Sequence, residues 1–326
     1  MRALVTVLEE DGRRGKRLVH DWPEYTDPLR ANEIKARNIY SGVTNGTERN
    51  NMLGGNYSRP DHELPSNEGY QSVGEVIALG PEVEDLSLGD LVFIGAHTGT
   101  QRSPAGHVEF VTIAEDDLVL KLPPDVDPVH AALFGMGGVA MRSCRNAELR
   151  MGERLLIVGG AGCIGQMAAQ IASVMGARVT IGDVAGRRLE LARSIGAAES
   201  AVDVSGDGWD RCIGEGAYDA VIDFAGVPGM EDKLITCVRL QGRVILVAGR
   251  WEVNYTFRTG QAQEITIKQN SHFDRDDLRN LCRLVGGGLV KIAPLIQDVV
   301  PAGEAPRIYA TLRDDSSQLM GTVFQW

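Results

Sequence analysis

Six residues, Gly160-Ala161-Gly162-Cys163-Ile164-Gly165, restrict the folds open to this chain more than any other stretch. A lone G-x-G-x-x-G is a weak signal, but here its surroundings are complete. It follows the apolar run RLLIVGG (154–160) and opens the helical pattern QMAAQIASVMG (166–176). The next strand-like run, RVTIGD (178–183), ends on Asp183, 18 residues after Gly165. Strand, glycine turn, helix, strand and acid in that order form the dinucleotide-binding fingerprint. Gly160 permits the tight turn and Gly165 allows close helix–strand packing. Gly162 lets backbone approach a pyrophosphate at the helix N-terminus, where unpaired N–H groups and the dipole favour an anion. Asp183 is placed to accept hydrogen bonds from the 2′- and 3′-hydroxyls of an adenosine ribose. Its carboxylate opposes a 2′-phosphate, so NAD is expected over NADP. Arg187 and Arg188 follow closely and are candidates for gripping that phosphate instead.

The rest of the chain is organised around this turn. RRLELARSIG (187–196) reads as a helix, YDAVIDFAG (218–226) and GRVILVAG (242–249) as strands flanking a helix near 230–240, and EITIKQ (264–269) as a final candidate strand. Strands alternating with helices imply an α/β, doubly wound parallel sheet. Residues 1–125 differ in character. Short apolar stretches such as ALVTVL, SVGEVIALG, DLVFIGA, HVEFVTI and LVLKLP lie between Gly, Pro and Asp turns, which predicts a compact β-barrel. A helical pattern over 128–149 is broken by Gly135, Gly137 and Gly138, and RDDLRNLCRLVGGG (275–288) is a helix with a glycine stop. At 326 residues, two domains are expected: 1–125 with 271–326, and 126–270.

Composition excludes several classes. Hydrophobic residues at 43% and charged residues at 24% suit a globular chain, not a disordered one or a membrane bundle. A net charge of −11 opposes binding to nucleic acid or to an anionic membrane. Cys144, Cys163, Cys212, Cys237 and Cys282 form no C-x-x-C pair, and an odd count suggests a reducing compartment. The N-terminus, MRALVTVLEEDGRRGK, lacks the apolar core of a signal peptide, and no run reaches the ~18 apolar residues of a span. A cytoplasmic protein is expected.

GEVIALGPEVEDLSLGDLV (74–92), AGHVEFV (105–111), AAL (131–133), the glycine turn, YDAVIDFAG and LQGRVILVAG (240–249) together resemble the medium-chain dehydrogenase/reductase superfamily over roughly residues 1–325. The resemblance implies a GroES-like β-barrel catalytic domain, a Rossmann domain, an active site in the cleft between them, and a homodimer or homotetramer. It adds Cys163, Ile164, Ala225 and Ala248 to the expected cofactor contacts.

The departures matter as much. Zinc-dependent members read C-G-[IV]-C-x-[ST]-D early in the chain; this one reads Ser41-Gly42-Val43-Thr44-Asn45-Gly46-Thr47-Glu48. Thr44 or Asn45, depending on a one-residue register, stands where the ligand cysteine belongs. The G-H-E-x-x-G-x-V segment is Gly69-Tyr70-Gln71-Ser72-Val73-Gly74-Glu75-Val76, so Tyr70 replaces the ligand histidine and Gln71 its acidic neighbour. ALFGMGG (132–138) lacks the third ligand, and the segment between Gly95 and Ala105 lacks the four cysteines of a structural-zinc lobe. His62, Glu63 and Glu68 are the remaining candidates for a displaced site, though a charged loop is more often solvated. No metal is expected. The S-G-[IV]-[ST]-x-G-T-E segment resembles the zinc-lacking branch that includes the hydroxyethyl-bacteriochlorophyllide dehydrogenase, alongside sugar, cyclitol and aminoglycoside dehydrogenases.

Oxidising an alcohol needs hydride acceptance, proton removal and stabilisation of developing oxygen charge; without zinc, hydrogen-bonding side chains must do the last two. Thr47 matches the family's proton-relay hydroxyl. Tyr70 is expected to face the substrate as acid/base, with a lowered pKa near a nicotinamide ring. Glu48 is a candidate to orient Tyr70 or to act as the base. His107 is expected to line the substrate pocket and to suit proton transfer. Gln71 supports the network, His97 and Asn45 are weaker pocket candidates, and Trp251 and Tyr255 are candidates for covering a ring-shaped substrate or forming an oligomer contact. The leading expectation is a zinc-independent, NAD-dependent alcohol dehydrogenase acting on a polyol, sugar or cyclitol-like small molecule. The alternatives are a zinc-free quinone or enoyl reductase, against which G-A-G-C-I-G with Asp183 argues, and a non-enzymatic NAD(H)-binding protein.

Overall fold

A computed structural model describes residues 1–95 and 106–326. The chain divides into two compact units, one of Met1–Gly135, Asp274–Cys282 and Leu295–Trp326, the other of Met136–Phe273 and Arg283–Pro294. The division falls at 135/136, about ten residues later than the turn-rich Pro123-Pro124 suggests, because the helix Pro128–Ala131 packs with the first unit.

The first unit is built from two sheets. In one, Ala3–Leu8 pairs antiparallel with Arg14–Val19 and with the two-residue strand Ser66–Asn67. In the other, seven strands are arranged about the long Glu33–Gly42, which pairs with Gln71–Leu79, Phe110–Ala114 and the C-terminal Gly321–Gln325. The alternation of these strands turns Ala3, Val5, Ile34, Ala36, Val76, Val92, Ile94, Val111 and Ile113 into one core. A second cluster gathers Leu4, Val43, Met52, Tyr309, Leu312 and Phe324 under the helix Ala305–Asp314.

The second unit is the doubly wound sheet. Its six strands are all parallel, in the order Ser200–Asp203, Arg178–Asp183, Arg154–Val158, Tyr218–Asp223, Val238–Leu246, Thr266–Gln269. The chain starts at Arg154–Val158, winds outward two strands, then crosses back to Tyr218–Asp223. Strand order therefore reverses beside Arg154–Val158, and the glycine turn sits at the carboxyl end of that strand. Ser200–Asp203 is absent from the sequence expectation; it is a four-residue edge strand with no buried position and thus no apolar run to announce it.

Among the described residues, no helix is long and apolar enough to cross a membrane.

Candidate active site

The glycine turn meets the requirements of a phosphate cradle. The helix Cys163–Val174 begins at Gly162, which has no side chain to cap it. A Cβ at Gly165 would lie 2.4 Å from the Gly160 Cα, so glycine is required for the helix to pack this closely on the turn. A Cβ at Gly162 would meet only the Gly159 carbonyl, at 3.6 Å, leaving open space above the helix start. Asp183 is almost fully buried and is already engaged. Its Oδ2 accepts the Ala161 N–H at 3.0 Å, and its Oδ1 accepts those of Val184 and Ala185 at 2.8 and 3.0 Å. Three of its four lone-pair sites are thus filled, and about one on Oδ2 is left for a ribose hydroxyl, where two hydroxyls are expected from the sequence. Gln166 donates to the Ala161 carbonyl at 2.8 Å and braces the turn from the helix side.

Cys163 is a buried first-turn residue whose thiol is pushed up to about 12 by burial, against the opposing charge of Arg188. Its sulfur is therefore held as a thiol. Arg188 is half-buried and its charge is felt at the helix start, whereas Arg187 is exposed. Ile164 is half-buried, and Ala225 and Ala248 follow the ends of the strands Tyr218–Asp223 and Val238–Leu246. These groups fit a dinucleotide: a helix N-terminus opened by glycine for a pyrophosphate, a carboxylate for a ribose, and a cation near the helix start. We expect NADH to bind more tightly than NADPH. Asp183→Ala should narrow the gap by about tenfold to a hundredfold, the worth of a hydrogen bond to a charged group. Fluorescence titration with both reduced cofactors checks this, and equal affinities in the unmutated protein overturn it.

The first unit holds the second group of residues. Thr44 caps the helix Asn45–Met52, and Gln71 opens the strand Gln71–Leu79 that pairs beside Ser41. Gln71 is fully buried, and its Nε2 donates to the Gly42 carbonyl and to the Thr44 hydroxyl, both at 3.2 Å. The carbonyl only accepts, which orients the amide. Thr44 therefore accepts from Gln71, and its hydroxyl is also hydrogen-bonded to Tyr70. Gln71, Thr44 and Tyr70 thus form one buried polar group. The Tyr70 ring is wedged so closely that a Cβ at Gly135 would come within 2.7 Å of its Cε2. Burial pushes the phenol well above its ordinary value, the nearby Glu48 charge adds to this, and the Thr44 hydrogen bond opposes it. This corrects the expected lowering: the protein by itself holds Tyr70 protonated.

Glu48 and His107 also need correction. Glu48 is 1% exposed and His107 0%. Glu48 Oε1 accepts the Thr44 N–H at 2.7 Å, while Oε2 accepts His107 Nε2 at 3.0 Å and the Tyr309 hydroxyl. His107 Nδ1 meets the Ser41 hydroxyl at 2.8 Å, and Ser41 accepts the indole N–H of Trp326 at 2.8 Å. Neither residue is free to reach a substrate, because each is consumed by the other and by partners remote in sequence. His107 is thus a buried link and not a pocket lining, and Glu48 is not placed as a base. Burial raises the Glu48 carboxyl, but the charge and hydrogen bond of His107, then Lys16 and the Thr44 N–H, outweigh it and hold it below its usual value. Lys16 lies 4.9 Å from the Tyr309 ring centroid and pairs with Glu68 at 3.3 Å. Ser41, Tyr309 and Trp326 escape the sequence reading; Tyr309 lies on the helix Ala305–Asp314, which the sequence reading does not name.

Thr47 lies half-buried in the first turn of its helix. Asn45 donates its amide to the Met320 carbonyl at 2.9 Å, so its donor ties down backbone and does not face a substrate. His97 lies outside the described residues. Trp251 and Tyr255 are exposed.

The zinc positions offer no zinc donors. Thr44, Asn45, Tyr70 and Gln71 supply hydroxyl, amide and phenol, which do not fit a metal that prefers thiolate, imidazole or carboxylate. Of the displaced candidates, His62 and Glu63 stand exposed while Glu68 is spent on Lys16 and Thr6. Among the described residues no cluster of three or more His, Cys, Asp or Glu is placed to hold a metal ion.

Known proteins bear on this arrangement. Residues 163–286 match the zinc-binding dehydrogenase family model. The chain is 29% identical over 199 residues to an NADPH-dependent alkenal/one oxidoreductase, chloroplastic, of Arabidopsis thaliana, covering 60% of this chain and 50% of that one. It is 32% identical over 212 residues to an L-threonine 3-dehydrogenase of Burkholderia mallei (strain SAVP1), covering 56% and 60% respectively. The matches span half to three fifths of those relatives' lengths. A solved NAD-dependent alcohol dehydrogenase superposes over 100% of both chains with a TM-score of 0.82 at 21% identity, a likeness of fold. The family model and the two relatives are likenesses of part of this chain, and the solved dehydrogenase shares its fold over the whole of it.

Proposed function

We propose that this chain is a zinc-independent, NAD-preferring dehydrogenase that interconverts a secondary alcohol of polyol, sugar or cyclitol type with its ketone. The observation that carries the reading is the buried group of Gln71, Thr44 and Tyr70, with the Tyr70 ring packed against Gly135, standing where zinc ligands are expected. In zinc members the metal polarises the substrate oxygen. Here the protonated phenol of Tyr70 takes that part, donating a hydrogen bond to the oxygen on which charge develops. In the ketone-reducing direction Tyr70 gives up its proton to that oxygen, and Thr44 then donates to the phenolate left behind. In the oxidising direction the phenolate takes the alcohol proton. Thr47 is a second hydroxyl for proton transfer on the same helix. When bound, the nicotinamide cofactor supplies the hydride acceptor or donor. The helix N–H groups after Gly162, Asp183, Arg188 and the backbone at Ala225 and Ala248 hold it.

The test is a panel of secondary alcohols and ketones with NAD(H), run with and without a strong chelator, beside elemental analysis. Turnover that survives the chelator in protein without stoichiometric zinc is expected. One tightly bound zinc per chain, with activity lost to the chelator and restored by zinc, overturns the reading. A second reading, reduction of an activated C=C bond, is favoured by the likeness to the alkenal/one oxidoreductase and by a phenol held protonated. Turnover of enones with NADPH, and none of alcohols, establishes it instead.

A further inference from the structure

A buried ion cluster in the second unit lies outside both groups of site residues. Arg250, Asp223 and Glu231 have side chains 8%, 2% and 5% exposed. The Arg250 guanidinium bonds the Asp223 carboxylate through Nη2 and Glu231 Oε1 at 3.3 Å through Nη1, while its Nε donates to the Ala248 carbonyl at 3.2 Å. Asp223 in turn accepts the N–H groups of Ala225 and Gly226 at 2.9 and 3.2 Å. Its own carbonyl receives those of Val247 and Ala248 at 3.1 and 3.2 Å. One guanidinium thus fastens three segments: the loop after Tyr218–Asp223, the loop after Val238–Leu246, and the start of the helix Glu231–Cys237.

The position of these loops gives the cluster its meaning. Ligands of such sheets bind beyond the carboxyl ends of the strands where strand order reverses. Asp183 ends the strand on one side of the glycine turn; Asp223 ends the strand on the other. The wall formed by 224–226 touches the turn directly, since a Cβ at Gly159 would fall 2.9 Å from the Ala225 nitrogen. The two loops touch each other as closely, a Cβ at Gly226 falling 2.7 Å from the Ala248 Cβ. With the adenosine ribose on the Asp183 side, the other half of a dinucleotide runs along the wall that Arg250 fastens. A group buried merely for stability is better replaced by apolar packing. Here the cation makes contacts an apolar side chain lacks, and each fixes backbone facing the crevice.

We propose that Arg250 is a positioning residue that shapes the 224–226 and 247–250 loops for the nicotinamide half of the cofactor. The proposal rests on the dinucleotide reading above. The experiment uses the full chain with Arg250→Lys and Asp223→Asn. Lysine keeps the charge but cannot span both carboxylates. Asparagine is isosteric and keeps an oxygen for the Ala225 and Gly226 N–H groups, so it carries the test if the lysine variant does not fold. Binding of NADH and of ADP-ribose, which lacks nicotinamide, is measured beside the melting temperature. NADH affinity is expected to fall about tenfold or more while ADP-ribose stays within about twofold, because the glycine turn and Asp183 hold that half. Equal losses for the two ligands, or no loss for either, overturn the proposal and leave Arg250 a stabilising residue only. An unmutated chain that binds neither ligand overturns the dinucleotide reading, and the proposal with it.

Discussion

Tyr70→Phe is expected to lower turnover by about a hundredfold or more while leaving the NADH dissociation constant unchanged. The lower bound is the usual contribution of a positioned acid or base. The variant keeps the ring that packs against Gly135 and removes only the hydroxyl that Thr44 bonds. Cofactor binding should be spared, because the residues proposed to hold the dinucleotide lie in the second unit. A pH profile separates this effect from a general loss of structure. The phenol's pKa is raised above its ordinary value, so its proton is present throughout the neutral range. Ketone reduction by the unmutated chain should therefore be flat up to about pH 10, the ordinary tyrosine value, and fall only above it. Alcohol oxidation needs the deprotonated form and should rise with pH across that same range. In the Phe variant both slopes should vanish. A variant with near-normal turnover and an unchanged profile assigns the proton to another group and sinks the role given to Tyr70.

How much of this was legible in the sequence differs between the two units. The doubly wound unit announces itself, because its central strands are buried on both faces and read as continuous apolar runs around the glycine turn. What it hides is its periphery: Ser200–Asp203 has no buried residue to give it a pattern. Glycines also mislead in the helix Phe134–Asn146, which reads as broken but runs through. Gly135 is there for the Tyr70 ring, and Gly138 because a Cβ would sit 2.6 Å from Phe273. Helix propensity costs about 1 kcal/mol per glycine, and close packing outweighs it. In the first unit Glu48 and His107, each given a role toward the substrate from the sequence, are instead buried against one another. Nothing within ten residues of Glu48 signals that its partners are His107 and Tyr309, 59 and 261 positions away. Roles of buried polar residues are decided by who meets them, and that is a tertiary fact. Arg250 is hidden for the same reason: its carboxylate partners Asp223 and Glu231 lie 27 and 19 positions away.

Replacing Glu48 should produce a large stability loss in the first unit. Glu48→Ala leaves the Tyr309 hydroxyl, the His107 ring and the Thr44 N–H without their shared acceptor in a dry site, which costs roughly 3–5 kcal/mol. Glu48→Gln keeps one oxygen for the Thr44 N–H but loses the charge, and should fall between that variant and the unmutated chain. The pH dependence carries the sign. The folded Glu48 carboxyl titrates below its ordinary value of 4.5, so its contribution is complete above that pH. It disappears as pH falls through the lower, folded value. The gap in urea stability between the unmutated chain and Glu48→Gln should therefore be constant from neutrality down to about pH 5, and close below it. Activity should fall too, even in the glutamine variant under conditions where it is fully folded. Glu48 fixes the backbone of Thr44, Thr44 holds the Tyr70 hydroxyl, and a phenol displaced by about an ångström loses near a hundredfold in rate. Because Glu48 acts through Tyr70, Glu48→Gln combined with Tyr70→Phe should be no slower than Tyr70→Phe alone. Independent, multiplicative losses in the double variant would instead mean that the carboxylate takes part in the chemistry itself.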